Sequence, residues 1–78
     1  MEFLWVNFDG SRPVLINGNP GGSTNMVITI PQPGTYRIKL GGRADFSPDL
    51  VEVTLARSNP IEPIEVTFNW LPASAIGP

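Results

Sequence analysis

The sequence predicts a small all-β protein, an antiparallel β-sandwich or partial barrel of about five to six short strands. Three observations carry this expectation. Apolar residues recur with period two in nearly every patterned segment, the spacing that puts alternate side chains on one face of a strand. Turn-forming clusters interrupt those segments: "DGSR", "NGNPGG", "PQPG", "GGRADFSPD" and "RSNPIEP". Helical spacing is missing. The best helix candidate, "FSPDLVEVTLAR", opens on Ser47-Pro48-Asp49, but its apolar residues fall at 51, 53 and 55, which is strand spacing.

The elements follow in order. "FLWVNF" places Leu4, Val6 and Phe8 on one face and Phe3, Trp5 and Asn7 on the other. "PVLIN" is a second short strand, with Pro13 at its start or on an edge because proline donates no amide hydrogen bond. "NGNPGGS" reads as a hairpin loop in which Asn17-Gly18 and Gly21-Gly22 supply positive φ. "NMVITI" is rich in β-branched residues, which suit a pleated surface. Pro31, Pro33 and Gly34 then form a turn into "TYRIKL", with Tyr36, Ile38 and Leu40 facing the core and Arg37 and Lys39 facing water. In "LVEVTLA", Val51, Val53 and Leu55 alternate with Glu52 and Thr54. In "IEVTFNWL", Ile64, Val66, Phe68 and Trp70 alternate with Glu65, Thr67 and Asn69. The pattern gives one domain over residues 1–71, with 72–78 a flexible tail.

From about Asp9 to Trp70 this layout resembles the PEGA domain, a small β-sandwich of the transthyretin-like, carboxypeptidase-regulatory-like kind. "VLINGNPGGST" matches a family strand followed by a turn, here with Asn17, Gly18, Gly22 and Thr24 at the marked positions. "PGTYRIKL" matches the family's Pro-Gly-x-Tyr strand, and "VEVTLARSNPIEPIEVTF" its closing strands. "DGSR" stands where the family carries Pro-Glu-Gly-Ala. The resemblance implies a non-enzymatic accessory module of a bacterial surface or envelope protein.

Composition bounds the chemistry. Seventy-eight residues, 41% of them hydrophobic, allow one small core, and a chain this size buries only about 60–65% of its unfolded surface. Five basic residues against seven acidic ones, with no basic block, leave no electrostatic footprint for nucleic acid or a membrane surface. Cysteine is absent, so neither a disulfide nor a thiolate metal site is possible. "MEFLWVNFDG" has no basic segment and no long apolar segment and does not read as a signal peptide. No stretch approaches the ~20 apolar residues of a membrane helix. The expected compartment is the cytoplasm for a complete chain, or outside it for a fragment of an envelope protein.

Catalysis needs a positioned acid, base or nucleophile. Histidine and cysteine are both absent. Asp9, Asp45 and Asp49 remain, and they read as solvated loop acids. A Ca²⁺ site would require six to eight oxygens, and two loop carboxylates supply few of them. "NGNPGGS" lacks the lysine and following helix of a phosphate loop. The expectation is therefore no enzyme, no cofactor and no metal.

Trp5 and Trp70 sit in apolar strands of a very small protein, where a core or half-buried packing role is the first expectation. Together with Phe3 they are also the candidate contact residues, because an indole left outward on a strand marks either a protein contact or a surface for stacking a sugar. Arg37 and Lys39 form a second candidate face, with Glu52 and Glu65 as cross-strand ion-pair partners. The function expected is a non-catalytic interaction or structural module that contacts another protein or self-associates. The alternative is a carbohydrate-binding module using an exposed tryptophan.

Overall fold

A computed structural model describes residues 1–71, all of them in strands, turns or irregular segments. The expected tail at 72–78 lies outside the described residues. In order, the strands are β1 (Glu2–Asn7), β2 (Pro13–Ile16), β3 (Asn19–Ser23), β4 (Val27–Ile30), β5 (Gly34–Leu40), β6 (Phe46–Ser47), β7 (Val51–Leu55), β8 (Ile64–Thr67) and β9 (Asn69–Trp70). The protein is all-β, as its alternation predicts. The described residues contain no helix long and apolar enough to cross a membrane.

Two sheets enclose the core. One has the order β4-β1-β8, the other β3-β2-β5-β7, and β6 and β9 form a two-residue ladder beside them. Leu4, Val6 and Phe8 from the β1 segment meet Val14, Ile38, Leu40 and Leu55 from the second sheet. Ile28, Ile30, Val66, Phe46 and Phe68 complete the buried cluster. The inward half of each alternation falls where period two places it. Tyr36, Val51, Val53 and Ile64 are half-buried and pack on the rim of this cluster.

Three expectations need correction. Among the described residues nine short strands form rather than five or six. The pairing is also not wholly antiparallel: β1 runs parallel to β8, with Leu4 opposite Ile64 and Val6 opposite Val66. Because β1 and β8 come from opposite ends of the described chain, no tight turn has to join them, and a parallel arrangement is free to form. The third correction concerns "NGNPGGS". Only Asn17 (φ 52°) and Gly18 (φ 85°) take positive φ, as a two-residue hairpin turn requires. Gly21 and Gly22 belong to β3.

Close approach explains those two glycines. The β2–β3 register slips between Val14 and Leu15, so Val14 faces Gly22 while Leu15 faces Pro20. This is a β-bulge, and Gly21 is its extra residue. A Cβ on Gly22 would lie 2.7 Å from Cγ1 and 2.9 Å from Cδ1 of Ile28, a buried core residue. A Cβ on Gly21 would run into Cδ1 of the half-buried Ile16, the far end of a flexible side chain outside the fully buried core.

A polar clasp fixes the start of β1. The Ser58 hydroxyl donates to Glu2 Oε1 at 2.6 Å and accepts from the Phe3 amide at 2.8 Å. The Ser58 amide also donates to Glu2 Oε1, at 3.0 Å. Glu2 is buried against the protein and faces inward with Leu4. The Ser58 hydroxyl, then the amides of Ser58 and Arg57, hold its carboxyl below the ordinary value of 4.5. Arg57, next to Ser58, takes φ 58°.

Two outcomes follow. Gly22→Ala lowers unfolding stability in urea by about 1–3 kcal/mol, the cost of overpacking a core, whereas Gly21→Ala costs clearly less. A carboxyl with a depressed folded-state pKa stabilises the fold above its unfolded value and loses that contribution as pH falls through the folded value. The melting temperature therefore declines on acidification below 4.5, and Glu2→Gln flattens the decline across that window.

Candidate functional site

Charge and aromatic surface meet at one end of the sandwich, around Arg12. Its Nη2 lies 2.8 Å from both Oδ1 and Oδ2 of Asp45, and its Nη1 donates to the carbonyls of Gly41 (3.2 Å) and Arg43 (3.3 Å). Only 17% of the Arg12 side chain and 15% of the Asp45 side chain are exposed. The guanidinium also sits over two rings, 5.3 Å from the centroid of Trp70 and 5.7 Å from that of Phe8. Those rings lie 4.6 Å apart. The Trp70 indole N–H donates to the Asp9 carbonyl at 2.7 Å.

Thr24 and Asn25 brace the same end. The Thr24 hydroxyl donates to the Gly10 carbonyl and accepts from the Arg12 amide. Asn25, at φ 61°, donates through Nδ2 to the Phe8 carbonyl and accepts the Phe8 amide on Oδ1. These bonds give partners to the Gly10 carbonyl and Arg12 amide of the "DGSR" turn and to both backbone groups of Phe8 before it. Trp70, although 45% exposed, has its N–H engaged and two neighbours against its ring. Its alternation with Ile64, Val66 and Phe68 ends at Thr67, where β8 stops, and Trp70 joins the separate β6–β9 ladder.

Phe3 and Trp5 occupy a different place. They point outward from β1, the central strand of its sheet, and both are half-buried. Trp5 lies opposite Val27 on β4 and Glu65 on β8, and Phe3 lies opposite Thr29. The Trp5 indole N–H reaches Asn7 Oδ1 at 2.8 Å, so the ring leans along its own strand. Asn7 Nδ2 in turn donates to Glu65 Oε1 (3.0 Å) and Thr67 Oγ1 (3.4 Å). Val27 and Met26 are exposed beside this row.

Arg37 and Lys39 lie on the outer face of the other sheet, both exposed. Arg37 Nε is 3.8 Å from Glu52 Oε2, a loose pair with both side chains well solvated. Glu65 is not a partner for either cation, because it belongs to the opposite sheet and accepts from Asn7. A shallow pocket of about 510 Å³ is lined by Asn17, Gly18, Arg37, Lys39 and Leu50.

The three aspartates are not brought together as a ligand set. Asp45 is taken by Arg12, and Asp9 and Asp49 are exposed. No cluster of three acidic side chains suited to a metal occurs among the described residues. The residues that sequence reasoning missed are Arg12, Thr24 as a buried brace, and the Glu2–Ser58 pair. Arg12 and Asp45 are 33 positions apart, and no local spacing rule connects them. Comparison with protein-family models, curated proteins and solved structures finds no match.

Removing one member of a mostly buried, charge-assisted pair leaves the other charge unpaired. Arg12→Ala should therefore lower stability by about 2–3 kcal/mol in urea titrations and change the emission of Trp70. Arg37→Ala, which breaks a solvated pair, should cost less than about 1 kcal/mol.

Proposed function

We propose that this chain is a non-catalytic β-sandwich module that contacts protein, in the first instance a second copy of itself, through the free edge of β4. One observation carries the reading. Four strands end the two larger sheets: β3, β7, β4 and β8. β3 carries Pro20 and a bulge, β7 carries Glu52 and β8 carries Glu65. These are the features by which sheet edges resist pairing. β4, "VITI", has neither a charge nor a proline, and among the described residues it pairs only with β1.

An uncharged edge is complementary to its own copy, because antiparallel pairing about a twofold axis brings no like charges together. Such pairing would join two three-stranded sheets into one of six strands. The outward Phe3, Trp5 and Val27 of both copies would then form one continuous strip. A core this small gains from covering that surface. The accessory-module role implied by the PEGA-like layout fits the same reading.

A second reading, binding of a sugar ring, rests on the Trp5 row. An indole lying along a flat sheet beside an amide, a carboxylate and a hydroxyl offers a stacking surface with hydrogen-bonding groups at its rim. Trp70 is the weaker platform, with Phe8 and Arg12 already against it.

Light scattering separates the two readings. Self-association gives a dimer mass at micromolar concentration, and Thr29→Lys, which places a charge on the β4 edge, returns the monomer without altering the melting temperature by more than a few degrees. A monomer at all concentrations, together with Trp5 fluorescence that shifts on glycan titration, would replace the first reading with the second.

A further inference from the structure

The pocket on the four-stranded sheet plays no part in that reading. From its geometry we infer that it binds a small aliphatic carboxylate. Arg37 and Lys39 project from the outer face of β5, the neighbour of β7. The register pairs Ile38 with Val51 and Arg37 with Glu52, so Leu50, just before β7, falls beside Lys39. On its other side Lys39 faces Leu15 of β2. Lys39 thus stands between two leucines, and among the described residues no ion pair includes it.

An ammonium group flanked by apolar side chains, with a second cation one row away, suits a ligand with a negative head and an apolar body. The Asn17–Gly18 turn closes the end of the pocket. The Asn17 amide donates to the Arg37 carbonyl, and Asn17 Oδ1 accepts the Arg37 amide, which fixes the turn against β5. The pocket volume of about 510 Å³ falls within the range of small-molecule sites, and Leu50, 46% exposed, is available to pack on a ligand. Glu52 is the built-in competitor. It holds Arg37 loosely at 3.8 Å and repels an incoming anion.

The test is a two-dimensional ¹⁵N NMR titration of the full chain with octanoate, using octanamide as the uncharged control. N-acetyl-leucyl-leucine with a free carboxylate forms a second arm, which separates a peptide terminus from a fatty acid as the source of the carboxylate. Octanoate should bind in the millimolar range, shifting Gly18, Lys39 and Leu50. Lys39→Gln and Arg37→Gln should each weaken binding about two- to fivefold, the scale of solvent-exposed ion pairs, and Glu52→Gln should tighten it by a similar factor. The tightening is a result that a merely structural role for Glu52 would not give. The inference is overturned if octanamide moves the same resonances equally, if Lys39→Gln leaves the midpoint unchanged, or if inorganic phosphate competes as well as octanoate. Thr29→Lys lies on the opposite sheet and leaves this titration unchanged, so the outcome is independent of β4 pairing.

Discussion

The Arg12 guanidinium is the group on which one end of this sandwich depends. A small β-protein can fill its middle with aliphatic side chains, but its ends are loops, and loops carry backbone groups that need partners. Here a single planar cation answers several of them. It grips Asp45 with two hydrogen bonds, takes the carbonyls of Gly41 and Arg43, and covers the rings of Phe8 and Trp70. The turn after β1, the loop after β5 and the β9 segment are thereby tied to one point. Lysine would not substitute, because only the guanidinium fork can hold the carboxylate and the carbonyls while lying over the rings.

The opposite constraint operates between the sheets. β3 crosses close to Ile28 of the facing sheet, and Gly22 is the residue that permits the approach. Arg12 closes an end through charge and planarity, and Gly22 brings two layers together through the absence of a side chain. The polar groups buried by these arrangements are satisfied: among the described residues no buried side-chain nitrogen or oxygen lacks a partner. That matters in a chain with so little core, where one unpaired polar group costs a sizeable share of the net stability.

Much of this architecture was legible in the sequence because period-two alternation is a local signal. Leu4, Val6, Ile38, Leu40, Leu55 and Val66 all fall inward on the alternating faces that the pattern gives them. The Asn17-Gly18 hairpin was legible for the same reason, since positive φ at two adjacent residues favours that dipeptide. β3 was not. Proline and two glycines carry no alternation, and their strand geometry is imposed by β2 and Ile28. The Arg12–Asp45 pair, the parallel β1–β8 ladder and the placement of Glu65 away from Arg37 all depend on residues distant in sequence. Of the candidate contact residues, outward Phe3 and Trp5 and exposed Arg37 and Lys39 could be read from parity. Their neighbours could not.

The parallel ladder has a consequence in time. β1 is the middle strand of its sheet, yet it is the first of the described strands to be synthesised. Its hydrogen-bonding partners arrive later, β4 after the β2–β3 hairpin and β8 only when nearly all of the described chain has been made. The aromatic and aliphatic residues of β1 therefore wait with at least one edge open until nearly all of the described residues have been made. Pairings between such distant segments also close slowly, because a long loop must be ordered before the contact rewards it. The second sheet, built from strands nearer one another in sequence, can assemble first and offer Val14, Ile38, Leu40 and Leu55 as a surface on which β1 settles before β8 locks it in place.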